Sequence, residues 1–501
     1  MKKIGYFILI IFFSCSSDDG NNINSLMSIN VSTEDFTISI NENPSENQVL
    51  GTVKGVTNQG TITFSIVSQS PNNSFSINQS TGELTVLNTE NYDFENNSSI
   101  IGEVKVANGE IFKTSTITIN LNDIDETVFA GDIILSSQQE INDFGAKQYT
   151  QVTGLLRVAD IEGGDIDLDI TSLAPLGTIK TVGSLRVAAG LLQDLSGLEN
   201  ITTVTNDLTI VFCDLITDLD ELSNITSVNG DLRIFGNDSL TNMDGLSNIT
   251  SVGQWLRISN NPLITSISIF NNLTTVGKME IESNDSLINL DGLENIQTVN
   301  GDLEIIQNIL IKDLNALSNI REVSGDLIIE RNFSLLNLDG LRNITSVGEY
   351  VGISLNPLIK NLNGLGKLTS IGGSLIISNN SSLESLDGIA PNTSLGLSIV
   401  PALNGDVDIS WNDSLISIDA LSNIISEGSI SIHQNESLIN VNGLNNKATC
   451  HDLSITYNIT LTDLCGISNL VQNNNIKGMY NVEENANNPT QQDIIDGNCQ
   501  I

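Results

Sequence analysis

The chain has 501 residues, of which 20 are Lys or Arg and 60 are Asp or Glu, a formal charge of 20 − 60 = −40. A surplus of that sign excludes nucleic acid and anionic membrane surfaces as partners, because both are held by clustered cations. The length exceeds one ordinary domain, and with aromatics at only 4% against abundant Asn, Ser, Thr, Ile and Leu, stacked short strands suit the composition better than a large enzyme core.

The first residues, "MKKIGYFILIIFFSCSS", place Lys2 and Lys3 before an apolar run from Ile4 to Phe13 and then Ser14-Cys15. A run of that length is an export signal and too short to span a bilayer. The stretch resembles a bacterial lipoprotein signal, which implies cleavage after residue 14 and acylation of Cys15; an ordinary cleaved signal with an incidental cysteine is the alternative. Residues 15–27 read as a polar linker, and Ser16-Ser17-Asp18-Asp19 resembles the acidic surface-export signal of some double-membraned bacteria. That resemblance implies a protein anchored by lipid to the outer membrane and exposed on the cell surface. With ~0.8 kcal/mol per buried methylene, several acyl chains would anchor it durably.

Residues 28–126 contain alternating runs such as "GTITFSIV", "GELTVLN" and "TSTITINLN" separated by Gly, Asn and Pro. Short alternating strands at this spacing predict a β-sandwich. The stretches "NENP" (41–44), "FSINQSTGELTV" (75–86), "YDFE" (92–95) and "NDIDE" (122–126) resemble a cadherin repeat. The resemblance implies Ca²⁺ held by Glu42, Asp93, Glu95, Asp123, Asp125 and Glu126, hard oxygen donors of the kind that a six-to-eight-coordinate cation needs. Read as residues alone, the same carboxylates also fit solvated turns.

From about Gly131 a repeat takes over. "NITSV" or a variant begins at Asn200, Asn224, Asn248, Asn272, Asn295, Asn319 and Asn343, with spacings of 24, 24, 24, 23, 24 and 24, and the register resumes at Asn423, Asn446 and Asn469. A period in this range marks a solenoid. In "DLRI", Leu232 and Ile234 point inward while Asp231 and Arg233 point out. A second column, Asn237, Asn261, Asn284, Asn308, Asn332, Asn356, Asn380, Asn412, Asn435 and Asn458, reads as inward amides that satisfy turn backbone. The predicted fold class is therefore all-β, a sandwich followed by a right-handed parallel β-helix of about thirteen coils over 131–469. "LDGLSNITSVNGDLRI"-type phrases make it resemble a receptor L-domain, a leucine-rich coil that implies a ligand-binding or adhesive surface without catalytic residues. Short helices at 136–146 and 488–499, the second within a C-terminal cap at 470–501 and capped by Thr490, are expected to close the ends.

Aligning the outward position of successive coils gives Arg157, Arg186, Thr209, Arg233, Arg257, Glu280, Glu304, Ile328, Gly352, Ile376, Asp408, Ser431 and Ser454. Four of the seven arginines share one column, although like charges ~4.8 Å apart repel by about 0.9 kcal/mol even in water. With Phe235 and Trp255 flanking it, the column is a candidate site for a glycan or protein ligand, since aromatic faces stack on sugars and guanidinium forks pair with acids. Arg157, Arg186, Arg233, Phe235, Trp255 and Arg257 are the candidate residues, and a charge ladder neutralised by Asp231, Glu280 and Glu304 is the alternative. Two histidines and the lack of a nucleophile elbow, metal-spaced cluster or phosphate loop argue against an enzyme. A polysaccharide lyase or a passive spacer are the other readings. Of the four cysteines beyond Cys15, namely Cys213, Cys450, Cys465 and Cys499, three full pairings are open. Cys465 with Cys499 is favoured, because both lie where an array needs a terminal staple.

Overall fold

Alternation of apolar and polar residues builds the first unit strand by strand. The computed structural model describes residues 28–94, 96–123, 128–159, 169–396 and 405–501, and the chain divides into two units between residues 125 and 126. In the first, β1 (Val31–Thr33), β2 (Phe36–Asn41), β3 (Val49–Thr52), β4 (Gly55–Thr57), β5 (Thr63–Ser70), β6 (Phe75–Ile77), β7 (Glu83–Val86), β8 (Ser99–Asn108) and β9 (Ile111–Asn122) form three sheets. Their orders are β2-β9-β8-β5, β3-β7-β6 and β1-β4, antiparallel except for the β2–β9 pair. The inward residues of β8 and β9, among them Ile100, Val104, Ile117 and Ile119, bury completely with Phe75, Leu84 and Tyr92. Tyr92 keeps its hydroxyl satisfied by donating to Ser74 O at 3.1 Å. Gly102 is required opposite Phe75, whose Cζ would lie 2.5 Å from an added Cβ.

The second unit is one 23-stranded sheet whose strand pairs run parallel, each coil adding a rung. Leu232 pairs with Leu256 and Ile234 with Ile258, and the column continues through Met279 and Ile281. These side chains are fully buried, as period-2 patterning requires. Two of the "DGL" turns, Asp244–Leu246 and Asp339–Leu341, are 3₁₀ turns. At Gly245 an added Cβ would sit 1.8 Å from Leu219 O of the preceding coil, so this glycine permits the close approach of backbones.

The inward asparagine column is a continuous hydrogen-bond ladder. Asn308 N donates to Asn332 Oδ1 at 3.1 Å, Asn332 N to Asn356 Oδ1 at 3.1 Å, and Asn332 Nδ2 to Ile305 O at 2.8 Å. Each amide thus satisfies backbone groups of the preceding coil while its own N–H is taken up by the amide of the next, and all ten expected asparagines are fully buried. The ladder begins at Cys213, whose N–H donates to Asn237 Oδ1. It ends one rung later than expected, at Asn485, which receives Asn458 N and is itself capped by Asn488 Oδ1. The residue before each ladder position takes left-handed φ, from 51° at Phe212 to 66° at Gly236.

Both ends of the solenoid extend past their expected limits. Val128–Phe129 already pairs with Gln151 and Val152, ahead of Gly131, and Tyr480–Glu483 pairs with Leu453–Thr456 inside what was expected to be cap alone. The outward column accordingly gains Ile134 before Arg157 and Asn481 after Ser454. The strand at 480–483 escapes the repeat reading because Met479 and Tyr480 replace the usual Asp-Leu. Helix α1 (Gln138–Gly145) starts at the N-cap Ser137. A short α2 (Ser468–Gln472) precedes α3 (Gln491–Ile495), where Thr490 and Asp493 form a capping box. Cys465 and Cys499 form a disulfide with Cα atoms 4.9 Å apart, while Cys213 and Cys450 are free and buried. No helix among the described residues is long and apolar enough to cross a membrane; Cys15 lies outside the described residues.

Candidate ligand-binding face of the solenoid

The outward column has the register expected of it. Arg157 pairs with Arg186, Arg186 with Thr209, Thr209 with Arg233, Arg233 with Arg257, Arg257 with Glu280 and Glu280 with Glu304. A 4.8 Å rung spacing would make this a row of repelling guanidiniums, but two flanking columns intervene.

One flanking column is made by the residue two positions earlier, which is aspartate in six of the thirteen coils from Arg157 to Ser454. Its carboxylate accepts the N–H of the same position one coil on: Asp207 from Asp231 at 2.9 Å, Asp231 from Trp255 at 3.0 Å, Asp302 from Asp326 at 3.0 Å. Trp255 and Lys278 interrupt this ladder, so an indole and an ammonium stand where carboxylates otherwise would. The guanidiniums of Arg233 and Arg257 lie 4.8 Å and 5.2 Å from the Trp255 ring centroid, and Lys278 Nζ is 5.2 Å from it. Arg257 also stacks on Phe235 at 4.8 Å, and Phe235 meets Phe212 edge-on at 4.9 Å. Each such cation–ring contact is worth about 0.5–1 kcal/mol when exposed and more when desolvated.

Carboxylates complete the network. Arg233 pairs with Asp231; Arg257 pairs with Glu280 at 2.8 Å and Glu282 at 3.5 Å; Lys278 pairs with Glu304 at 2.9 Å and Asp302 at 3.1 Å. Burial pushes Glu280 up to about 7, against the opposing pull of Arg257, with Glu282 and Glu304 adding to the rise. Burial likewise raises Asp326 to about 6, opposed by the N–H of Tyr350 and reinforced by Asp302 and Glu349. For Lys278 burial acts to lower the ammonium, but Glu304 and Asp302 outweigh it and hold it above its ordinary value.

Arg186, Thr209, Val211, Phe212, Arg233, Phe235 and Arg257 line a depression of about 190 Å³. Four of the six candidate residues, Arg186, Arg233, Phe235 and Arg257, therefore line one depression, and Trp255 adjoins them through its contacts with Arg233 and Arg257. Two expectations change. Arg157 is 9% exposed and donates from Nε to Ala159 O at 3.3 Å, so it belongs to the packed strand end and not to a displayed surface. Trp255 is only half-buried, yet its indole Nε1 is enclosed without a hydrogen-bond partner; it offers a ring face, not a donor. Lys278 and Phe212 were missed because only Phe235 and Trp255 were read from the columns beside the arginines; Lys278 is legible as the one lysine in the column that holds Trp255.

In the sandwich, backbone bonds bring together the three stretches of the expected cation set. Glu42 N donates to Asn122 O at 3.1 Å and Asn43 N to Tyr92 O at 2.8 Å. Glu42 is 3% exposed and accepts the Phe94 N–H at 2.6 Å. Asp93 accepts the backbone and side-chain N–H groups of Asn96 at 3.0 Å and 2.8 Å, whereas Asp123 is exposed. Glu95, Asp125 and Glu126 lie outside the described residues, among which no three His, Cys, Asp or Glu side chains are grouped to hold a metal ion.

No family profile matches the sequence, and no curated protein sequence matches it. Among solved structures the chain is similar to protocadherin gamma B2 extracellular cadherin domains 3–6, at 21% identity and a TM-score of 0.18, covering 20% of this chain and 24% of that one. It is similar to the protocadherin gammaB7 EC3-6 cis-dimer at 13% identity and 0.18, covering 20% and 30%, and to mouse cadherin-23 EC22-24 at 17% and 0.17, covering 22% and 38%. The chain thus spans well under half the length of each of these.

Proposed function

We propose that the protein is a lipid-anchored surface recognition or adhesion protein, non-enzymatic, whose receptor L-domain-like solenoid binds a glycan or protein ligand on the face around Arg233, Phe235, Trp255 and Arg257. One observation carries this reading: four successive coils bring two arginines, a lysine, two phenylalanines and a tryptophan into one contact network, its arginines and phenylalanines lining a single depression. Such a cluster offers stacking planes and forked donors together. Because Arg257 is already engaged by Glu280 and Glu282, a ligand must compete for it, and an acidic group on the ligand does so best. Binding on a glycan array by the wild-type chain and its loss in Trp255→Ala/Arg257→Ala is the expected result; equal binding by both sinks the assignment.

Two subsidiary parts of the proposal have their own tests. Acylation at Cys15 predicts incorporation of labelled palmitate that Cys15→Ser abolishes. Calcium at the sandwich is supported by the hydrogen bonds that tie residues 42 and 43 to 92, 94 and 122, and titration calorimetry showing no Ca²⁺ uptake would remove it.

A further inference from the structure

The chain's other tryptophan lies further along the solenoid, at a site that the arginine face does not include. Trp411 and Tyr457 occupy the corner column of left-handed residues, with φ of 57° and 56°, and Gln434 at 55° stands between them. The three are on consecutive rungs, since Ser410 pairs with His433 and His433 with Thr456. Phe212 takes this corner within the arginine face, and most other rungs fill it with residues that tolerate positive φ or carry no ring, among them Gly236, Asn260, Ser283, Gln307, Leu355 and Asn379. A bulky aromatic side chain is unfavourable in this conformation, so coil geometry does not call for Trp or Tyr here.

Both rings are also displayed. Trp411 is 46% and Tyr457 52% exposed, and neither is among the aromatic or cation contacts of the described residues, in contrast to Trp255 with three cations around it. Two rungs separate them, about 9.6 Å at the ordinary strand spacing. Neighbouring sugars of a β-1,4-linked chain present alternate faces, so rings placed to meet every second sugar each find the same apolar C–H face. The half-buried Gln434 between the rings supplies both a donor and an acceptor for the intervening sugar's hydroxyls. Asp413 and Glu436, exposed on the adjoining column, accept hydroxyl hydrogens and repel acidic sugars, as does the net charge of −40.

We infer that Trp411, Gln434 and Tyr457 form a second binding platform, specific for an extended neutral β-1,4-linked glycan. It is independent of the arginine face and of the acidic ligand that face favours.

The test is titration calorimetry of the full chain with hexasaccharides of β-1,4-linked glucose, N-acetylglucosamine and mannose, the matching disaccharides, and a galacturonate hexamer. At least one neutral hexamer binds, its disaccharide binds about tenfold more weakly because it reaches one ring, and Trp411→Asn/Tyr457→Asn loses about tenfold or more. Because Asn suits a left-handed corner, that variant keeps the wild-type melting temperature or exceeds it, which separates lost binding from lost folding. Trp255→Ala/Arg257→Ala leaves the neutral-glycan affinity unchanged. The platform is overturned if no neutral hexamer binds, if Trp411→Asn/Tyr457→Asn binds as wild type, or if only the galacturonate hexamer binds and does so through Arg257.

Discussion

Glu280 sits at the junction between the basic and acidic stretches of the outward face. It touches Arg257 on one side and faces Glu282 and Glu304 on the others, and burial raises its folded-state value to about 7, above an ordinary 4.5. A carboxyl whose folded value is raised holds its proton better in the folded than in the unfolded state. Its stabilising contribution is therefore complete below about 4.5 and is lost as pH rises through about 7. Thermal unfolding followed from pH 5 to pH 8 should show stability falling over that window, by on the order of 1–3 kcal/mol for this group. Glu280→Gln should flatten the slope and melt higher than wild type at pH 8.

The asparagine ladder makes a second prediction at the scale of single residues. Asn332→Ala leaves the Asn308 N–H and the Ile305 carbonyl buried without partners, which should cost roughly 3 kcal/mol or more. Asn319, whose amide donates to Glu294 O at 2.7 Å on the exposed turn, should cost under about 1 kcal/mol when changed to Ala, because water replaces it. Urea denaturation of the two variants compares them directly.

At the scale of elements, coils rely on their neighbours and the ends need closure. The last rung, Tyr480–Glu483, pairs only with Leu453–Thr456, and the chain beyond it is returned by Leu464 N donating to Cys499 O at 2.9 Å and by the Cys465–Cys499 bridge. Cys465→Ser/Cys499→Ser should lower stability by about 2–4 kcal/mol. Amide exchange should quicken at 480–483 while remaining slow at Leu303–Ile306 in the middle of the array; uniform quickening would show that the bridge supports the whole solenoid and not its end. The elements were legible in sequence to different degrees. Val252, Leu256 and Ile258 announced their strand by alternation, and Thr490 announced the start of α3. Tyr480–Glu483 did not announce itself, because a terminal rung has one neighbour and its sequence is free to drift from the repeat.

At the scale of the molecule, 60 acidic side chains against 20 basic ones make self-repulsion a general property. Raising ionic strength from about 0.01 M to about 0.15 M shortens the Debye length from about 30 Å to about 8 Å, so the melting temperature should rise with salt. The contribution of the Arg257–Glu280 pair, with side chains 27% and 8% exposed, should weaken in the same titration far less than that of the exposed Lys360–Glu384 pair.

The 24-residue period and its alternating letters were enough to determine the parallel coil, its inward leucines and isoleucines, the buried asparagine column and the stacking register of the outward column, since a repeat that must pair with itself leaves one register that keeps every apolar side chain inside. What only the tertiary structure decided is how outward side chains from different columns meet. Trp255 donates its backbone N–H to Asp231 a coil earlier and gathers Arg233, Arg257 and Lys278 about its ring, Arg157 folds back onto Ala159, and Trp411 and Tyr457 project from corners whose left-handed backbone no period reveals. Contacts across columns depend on coil curvature and side-chain reach, quantities that lie between the letters of the repeat and not in them.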